Sequence, residues 1–199
     1  CAALARRLLS QGRELNSLGI IGAGRVGWYA AYFSCADRPP ECLRISDCNT
    51  DRADIMAAQL KTLYPQTDIR ATSAAEARAV DTVILATTTR EPLLDPQTTR
   101  ATLIVSLGAD TDDQSELTDD WANVAQVYVD TADTLRFGDL QRWVRRGLLK
   151  PCEVTDLTAL LRDDSLRRSS GRPKLFVSTG SALFDNLTIA YLLDRLRSD

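Results

Sequence analysis

Histidine is absent from this chain of 199 residues. That excludes a His-dependent triad, an imidazole general base and the mixed His/Cys metal sites, and no metal site is expected. Any chemistry must rest on carboxylates, Lys, Arg, hydroxyls or a bound cofactor. Long hydrophobic runs are also missing: Gly, Asp or Arg interrupts every apolar stretch well short of the ~20 residues that cross a bilayer. Charge of one sign is scarce too, since 24 basic and 27 acidic residues leave a net of −3. So weak a field gathers neither nucleic acid nor an anionic membrane. The cysteines Cys1, Cys35, Cys42, Cys48 and Cys152 are odd in number and lack CxxC spacing. They predict reduced thiols and a cytoplasmic setting, not a disulfide framework.

What is present is an alternation of short β-rich runs with helical patterns, the rhythm of a parallel sheet covered on both faces. The runs are Leu18–Ile21, Leu43–Ser46, Ile69–Ala71, Thr82–Ala86, Leu103–Leu107, Val127–Val129 and Leu175–Ser178. Helices are expected at Ala2–Leu9, Arg25–Ser34, Asp51–Tyr64, Ala74–Arg78, Phe137–Arg145 and Val154–Leu161, with a polar loop from Arg162 to Pro173. From Ser181 to Arg197, the residues Leu183, Leu187, Ala190, Tyr191 and Asp194 trace a mostly apolar helical face. The fold class is α/β: a Rossmann-type, doubly wound, mostly parallel sheet with helices on both faces. One domain over 1–199 is expected, with an entry helix in 1–16 and a closing helix in 179–199. The chain opens at Cys1 without Met or leader and reads as cut from something longer.

The first run leads into Gly22-Ala23-Gly24-Arg25-Val26-Gly27, a G-x-G-x-x-G between a strand and a helix. Gly22 permits the tight turn, Gly24 lets backbone approach a diphosphate, and Gly27 lets helix pack on strand. The amides of Arg25 and Val26 belong to the helix N-terminus that faces the anion. Asp47 ends the next run, about 20 residues on, where a carboxylate accepts both ribose hydroxyls of NAD. It also reads as a turn residue or cap before Asp51. The same carboxylate repels the 2′-phosphate of NADP, so NAD is the expected cofactor, although Arg44 and Arg52 are basic neighbours.

Ligands of open parallel sheets bind beyond the carboxyl ends of the strands. Thr87 and Thr88 follow one run, Gly108-Ala109-Asp110 another, and Ser178-Thr179-Gly180 a third. The threonines also fit strand propensity and a cap before Pro92. Asp110, followed by Asp112, Asp113 and Glu116, also reads as the acidic start of a helix.

Together these segments resemble the ornithine cyclodeaminase and mu-crystallin family, through LGIIGAGRVG, ATTTREP, LGAD with Glu116-Leu117, the Val129-Asp130 pair, FGDL at Phe137 to Leu140, and FVSTGSALFD. The resemblance implies NAD(P)-linked chemistry on an amino acid. Hydride leaves the α-carbon, and the imine cyclises, hydrolyses or is reduced again. It implies Asp110 as the catalytic acid/base, Thr87 and Thr88 against the cofactor, and Ser178 and Gly180 near the nicotinamide. It also implies a substrate-binding and dimer-forming N-terminal half that these residues do not include, so the partners are an amino acid or cyclic imine and a second subunit or substrate domain. Relatives often carry Lys where this chain has Gln114, which leaves three readings: cyclodeaminase or dehydrogenase, imine reductase, or an NAD-holding, crystallin-like protein without turnover.

Overall fold

The computed structural model describes residues 1–10, 15–109, 111–168 and 171–198. Eight parallel strands form its sheet, each placed by a helix or loop that returns the chain to the amino edge. In chain order the elements are α1 (Ala2–Leu9), β1 (Ser17–Ile21), α2 (Arg25–Asp37), β2 (Cys42–Ser46), α3 (Thr50–Leu63), β3 (Asp68–Ala71), α4 (Ala74–Arg78) and β4 (Thr82–Leu85). There follow β5 (Leu103–Ser106), α5 (Trp121–Val124), β6 (Gln126–Val129), α6 (Gly138–Arg145), β7 (Thr155–Asp156), α7 (Leu157–Arg162), β8 (Lys174–Val177) and α8 (Ala182–Ser198). The sheet order is β3-β2-β1-β4-β5-β8-β6-β7. The expected α/β class therefore holds, with every pairing parallel.

Strand side chains alternate between two cores, as a period of two requires. Leu18, Ile20, Ile84, Val105 and Phe176 face the side packed with residues of α2 and α3. Ile21, Val83, Leu85, Ile104 and Leu175 face the other, with Trp121 and Trp143. Continuous apolar runs such as Leu103–Ser106 are buried on both faces for this reason.

Two expectations are corrected. Val154–Leu161 is not one helix, because Thr155–Asp156 pairs with Tyr128–Val129 as an edge strand before α7 begins. The polar segment after it contains a 3-10 turn at Asp164–Arg167 that Asp163 caps.

Buried cations hold α1 on the sheet. Arg6 donates to the Ser34 carbonyl at 3.1 Å, the Arg38 carbonyl at 2.5 Å and the Leu15 carbonyl at 2.9 Å, which satisfies the carboxyl end of α2. Lys174 Nζ donates to the Leu9 carbonyl at 2.9 Å, at the end of α1. At the other extreme, α8 exposes Leu187, Ile189, Leu192 and Leu196. Among the described residues no helix is long and apolar enough to cross a membrane, and no group of His, Cys, Asp and Glu could hold a metal ion.

Cys35, on the inward face of α2, is fully buried, and burial pushes its thiol up to about 11. Alkylation of the native chain with iodoacetamide, followed by mass spectrometry, is expected to label exposed Cys48 and Cys152 and to spare Cys35 until denaturant is added.

Candidate functional site

Because the strands are parallel, their carboxyl ends open on one edge. In sheet order that edge carries Asp47 after β2, then Gly22, Thr87, Gly108, Ser178 and Asp130. The order reverses between β1 and β4, the switch point at which open sheets leave a crevice.

At that point the chain turns sharply. Gly22 has φ +106° and donates to the Ser46 carbonyl at 2.8 Å, which fastens the turn to β2. Gly24 then begins α2. No side chain caps this helix, and no acid stands in its first turn, so the amides of Arg25, Val26 and Gly27 face outward as anion donors. A Cβ on Gly24 would meet nothing within 4 Å. Packing within the chain does not call for glycine there, whereas backbone approach by a phosphate does. The donor set and the open cradle fit a dinucleotide diphosphate.

Asp47 sits beside this turn. Its Oδ2 accepts the Ala23 amide at 2.7 Å and its Oδ1 the Asn49 amide at 2.8 Å. A carboxylate has about four lone-pair positions, so Oδ2 keeps one for a ribose hydroxyl, and on Oδ1 the remaining position is contested by the weak Cys48 thiol donor, 3.5 Å away. The cap of α3 belongs to Asn49, whose side chain accepts from the Arg52 amide. Arg44 is committed elsewhere, to the Asp68 carbonyl at 2.8 Å and carboxylate at 2.7 Å at the start of β3. That pair holds the Asp68 carboxyl below its ordinary range.

Two clefts meet at this edge and share Arg25 and Tyr29. One, of about 480 Å³, lies among Ala23, Gly24, Trp28 and Arg52. The other, of about 870 Å³, runs past Val26 and Leu107 to Ser178, Thr179 and Gly180. Both fall within the size range of cofactor sites.

Further along, the strand-end hydroxyls are tied to buried carboxylates. Ser178 donates to Asp130 Oδ2 at 2.6 Å, and Asp130 also accepts from the Thr131 amide and the Thr134 hydroxyl. Gly180, with φ +85°, turns the chain back so that its amide points at Ser178 Oγ, 3.5 Å away. Thr87 donates both its amide and its hydroxyl to Glu116 Oε1, each at 2.8 Å. Thr88 is exposed, one residue beyond. Asp110 lies outside the described residues. The alternative reading of the acids after it, as the start of a helix, is not met in 111–120, where Leu117 bridges Leu94.

A family profile described as ornithine cyclodeaminase/mu-crystallin matches residues 1–199. The chain belongs to this family. A search of curated protein sequences finds no match, but solved structures share the fold. A probable ornithine cyclodeaminase from Bordetella pertussis superposes with a TM-score of 0.84 at 24% identity, over 100% of this chain and 64% of that one. A Δ1-pyrroline-2-carboxylate reductase from Thermococcus litoralis, solved with NADH and L-proline, gives 0.77 at 24% identity over 90% and 58%. An archaeal alanine dehydrogenase dimer with bound NAD gives 0.78 at 20% identity over 91% and 57%. The chain thus spans only 57–64% of the length of these structures.

Sequence reasoning missed the buried carboxylates that organise this family member's edge. Glu116 is fully buried, and Asp139 is 1% exposed. Burial pushes the Glu116 carboxyl up, while hydrogen bonds from Ser106, Thr87 and Gly108 pull it down. Asp139 accepts the Ser115 hydroxyl and the amides of Glu116 and Leu117. The one available signal was an acid between residues that pack inward, as in Ser115-Glu116-Leu117.

Proposed function

We propose that this chain is the NAD-binding part of an enzyme that oxidises or deaminates an amino acid through an imine, with cyclodeamination as one outcome. The open cradle at Gly24, on an uncapped helix beside Asp47, carries this reading. The amides of Arg25, Val26 and Gly27 receive the diphosphate, and Asp47 accepts the adenosine ribose hydroxyls. NAD is preferred to NADP because a 2′-phosphate would meet the Asp47 carboxylate, and because Arg44 is spent on Asp68. Thr87, Thr88, Ser178 and Gly180 lie along the path toward the nicotinamide. When bound, that ring takes a hydride from the substrate α-carbon or returns one to an imine. Asp110, beyond the end of central β5, serves as the acid/base that accepts the amine proton and delivers it again. Gln114 leaves the site without the cation many relatives carry there, so the substrate is chosen elsewhere.

The partners on this reading are an amino acid or its cyclic imine and a second subunit or substrate domain. The NAD-bound dimer of the archaeal alanine dehydrogenase supports the latter, as do the exposed Val26, Tyr29, Phe33 and Leu187.

Titration of NADH fluorescence tests the site. Asp47→Ala is expected to weaken binding about tenfold or more, the worth of two hydrogen bonds to a charged acceptor, while Asp110→Asn leaves it unchanged. Equal affinity of the Asp47 variant would sink the assignment. Incubation with NAD and a panel of amino acids then reads nicotinamide absorbance; binding without turnover favours the crystallin-like alternative.

A further inference from the structure

The parallel ladder between β4 and β5 ends with the Leu107 amide on the Leu85 carbonyl at 2.9 Å. Past that bond the two chains still run side by side. A Cβ on Gly108 would lie 1.9 Å from the Thr87 carbonyl oxygen and 2.4 Å from Glu116 Oε1. The backbone amides of Thr87 and Gly108 have no ladder partner at this point, and an unsatisfied amide in so enclosed a place is costly.

Glu116 supplies both partners. Its Oε1 takes the Thr87 amide and hydroxyl, and its Oε2 takes the Ser106 hydroxyl at 2.7 Å and the Gly108 amide at 3.1 Å. All four donors converge on one fully buried carboxylate. The Glu116 backbone is itself fixed, because Asp139 accepts its amide at 2.9 Å and the Ser115 amide donates to the Thr89 carbonyl at 2.9 Å. The Thr87 hydroxyl therefore points into the protein, away from the cleft. Its methyl carbon lies on the side of the glycine turn, 3.1 Å from where a Cβ on Gly22 would be.

We propose that Glu116 is a positioning residue for the cofactor: it replaces the missing ladder between β4 and β5 and so sets the backbone edge from Thr87 to Gly108 on which the dinucleotide rests. The inference depends on the NAD reading above. It differs from a general contribution to stability because it makes dinucleotide affinity depend on a group that the dinucleotide does not touch. It also reassigns Thr87, whose effect on binding passes through backbone placement and not through a hydroxyl contact.

The experiment uses the 199-residue chain, with NADH affinity by fluorescence titration and amide hydrogen exchange as separate readouts. Glu116→Gln keeps the shape but turns a donor toward one pair of donors, which leaves a backbone amide without an acceptor. About a tenfold weaker NADH affinity is expected, with faster exchange in peptides spanning 86–89 and 106–109 and unchanged exchange in α3. Thr87→Val, which keeps the amide, is expected to alter affinity less than Glu116→Gln does. If Glu116→Gln fails to fold, Ser106→Ala removes a single donor and is expected to weaken NADH about threefold. Unchanged affinity in whichever variant folds overturns the inference while the NAD reading stands. A wild-type chain that does not bind NADH overturns both.

Discussion

Gly24→Ala is expected to leave the thermal midpoint unchanged and to weaken NADH binding by a factor of ten or more, whereas Gly27→Ala loses stability and binding together. The difference follows from what each new Cβ meets. At Gly24, φ is −82°, which alanine adopts freely, and no atom lies within 4 Å. The added methyl fills only the space left for a ligand. At Gly27 the Cβ would stand 1.9 Å from the Gly22 carbonyl oxygen and 3.4 Å from Ile20 Cγ2. Neither is a flexible side-chain end, so α2 must move off β1. Displacing packed backbone costs about 1–3 kcal/mol, occasionally more, a large fraction of the roughly 5–15 kcal/mol that stabilises a typical domain. Differential scanning fluorimetry with and without NADH separates the two effects. A Gly24→Ala variant that melts early, or that binds as the parent does, would show that the glycine serves the turn and not a diphosphate.

Much of this edge was legible because its determinants are local. An apolar strand buried on both faces, a turn that needs φ +106° at Gly22, and a helix opened by Gly24 are all set within a dozen or so residues, and local propensity and pattern agree there. Asp47 could be placed for the same reason, since the following strand pairs with β1 directly. The order of the remaining strands was not readable. β8, the last strand among the described residues, inserts between β5 and β6, and nothing in Lys174–Val177 names its neighbours. β7 escaped notice because two residues cannot display a period. Its pairing with Tyr128 and Val129 depends on where the sheet already lies.

Glu116 was misread for a different physical reason. An acid following Asp112 and Asp113 looks like charge set against a helix dipole, yet its true partners, Thr87 and Ser106, precede it by 29 and 10 residues and lie on two different strand ends. Burial of a carboxylate without a cation at hand is unfavourable on average, so no single-residue preference predicts it. Only the convergence of four donors, a tertiary fact, makes the position tolerable. The strand-end hydroxyls follow the same logic. Read singly, Thr87 and Ser178 suggest direct cofactor contacts, but each donates its hydroxyl to a buried acid behind the edge. Part of the polar chemistry at the strand ends thus builds the surface on which a ligand rests.

Asp139→Ala is expected to be the most destabilising of the polar substitutions, by about 3–5 kcal/mol, the cost of breaking a buried charged network from one side. The carboxylate begins α6 and accepts the Ser115 hydroxyl at 2.8 Å, the Glu116 amide at 2.9 Å, the Leu117 amide at 3.1 Å and Arg142 Nη2 at 2.8 Å. Its loss strands two buried amides. Arg142 keeps other acceptors, Asp119 at 3.0 Å and the Leu117 carbonyl at 3.0 Å, so most of the penalty falls on the segment from Ser115 to Leu117. Asp139→Asn keeps one oxygen and is expected to cost about half as much, because that oxygen can still take the two amides while the new NH2 group faces Arg142 and the Ser115 hydroxyl. Urea unfolding measures the difference as a lower midpoint at constant m. The segment that Asp139 anchors is the one that carries the Glu116 carboxylate to β4 and β5. NADH affinity should therefore fall in Asp139→Ala even at temperatures where the chain remains folded, and Glu116→Gln added to Asp139→Ala should weaken it by less than it does alone. Fully additive losses in that double variant would mean that α6 supports the fold without reaching the cofactor edge.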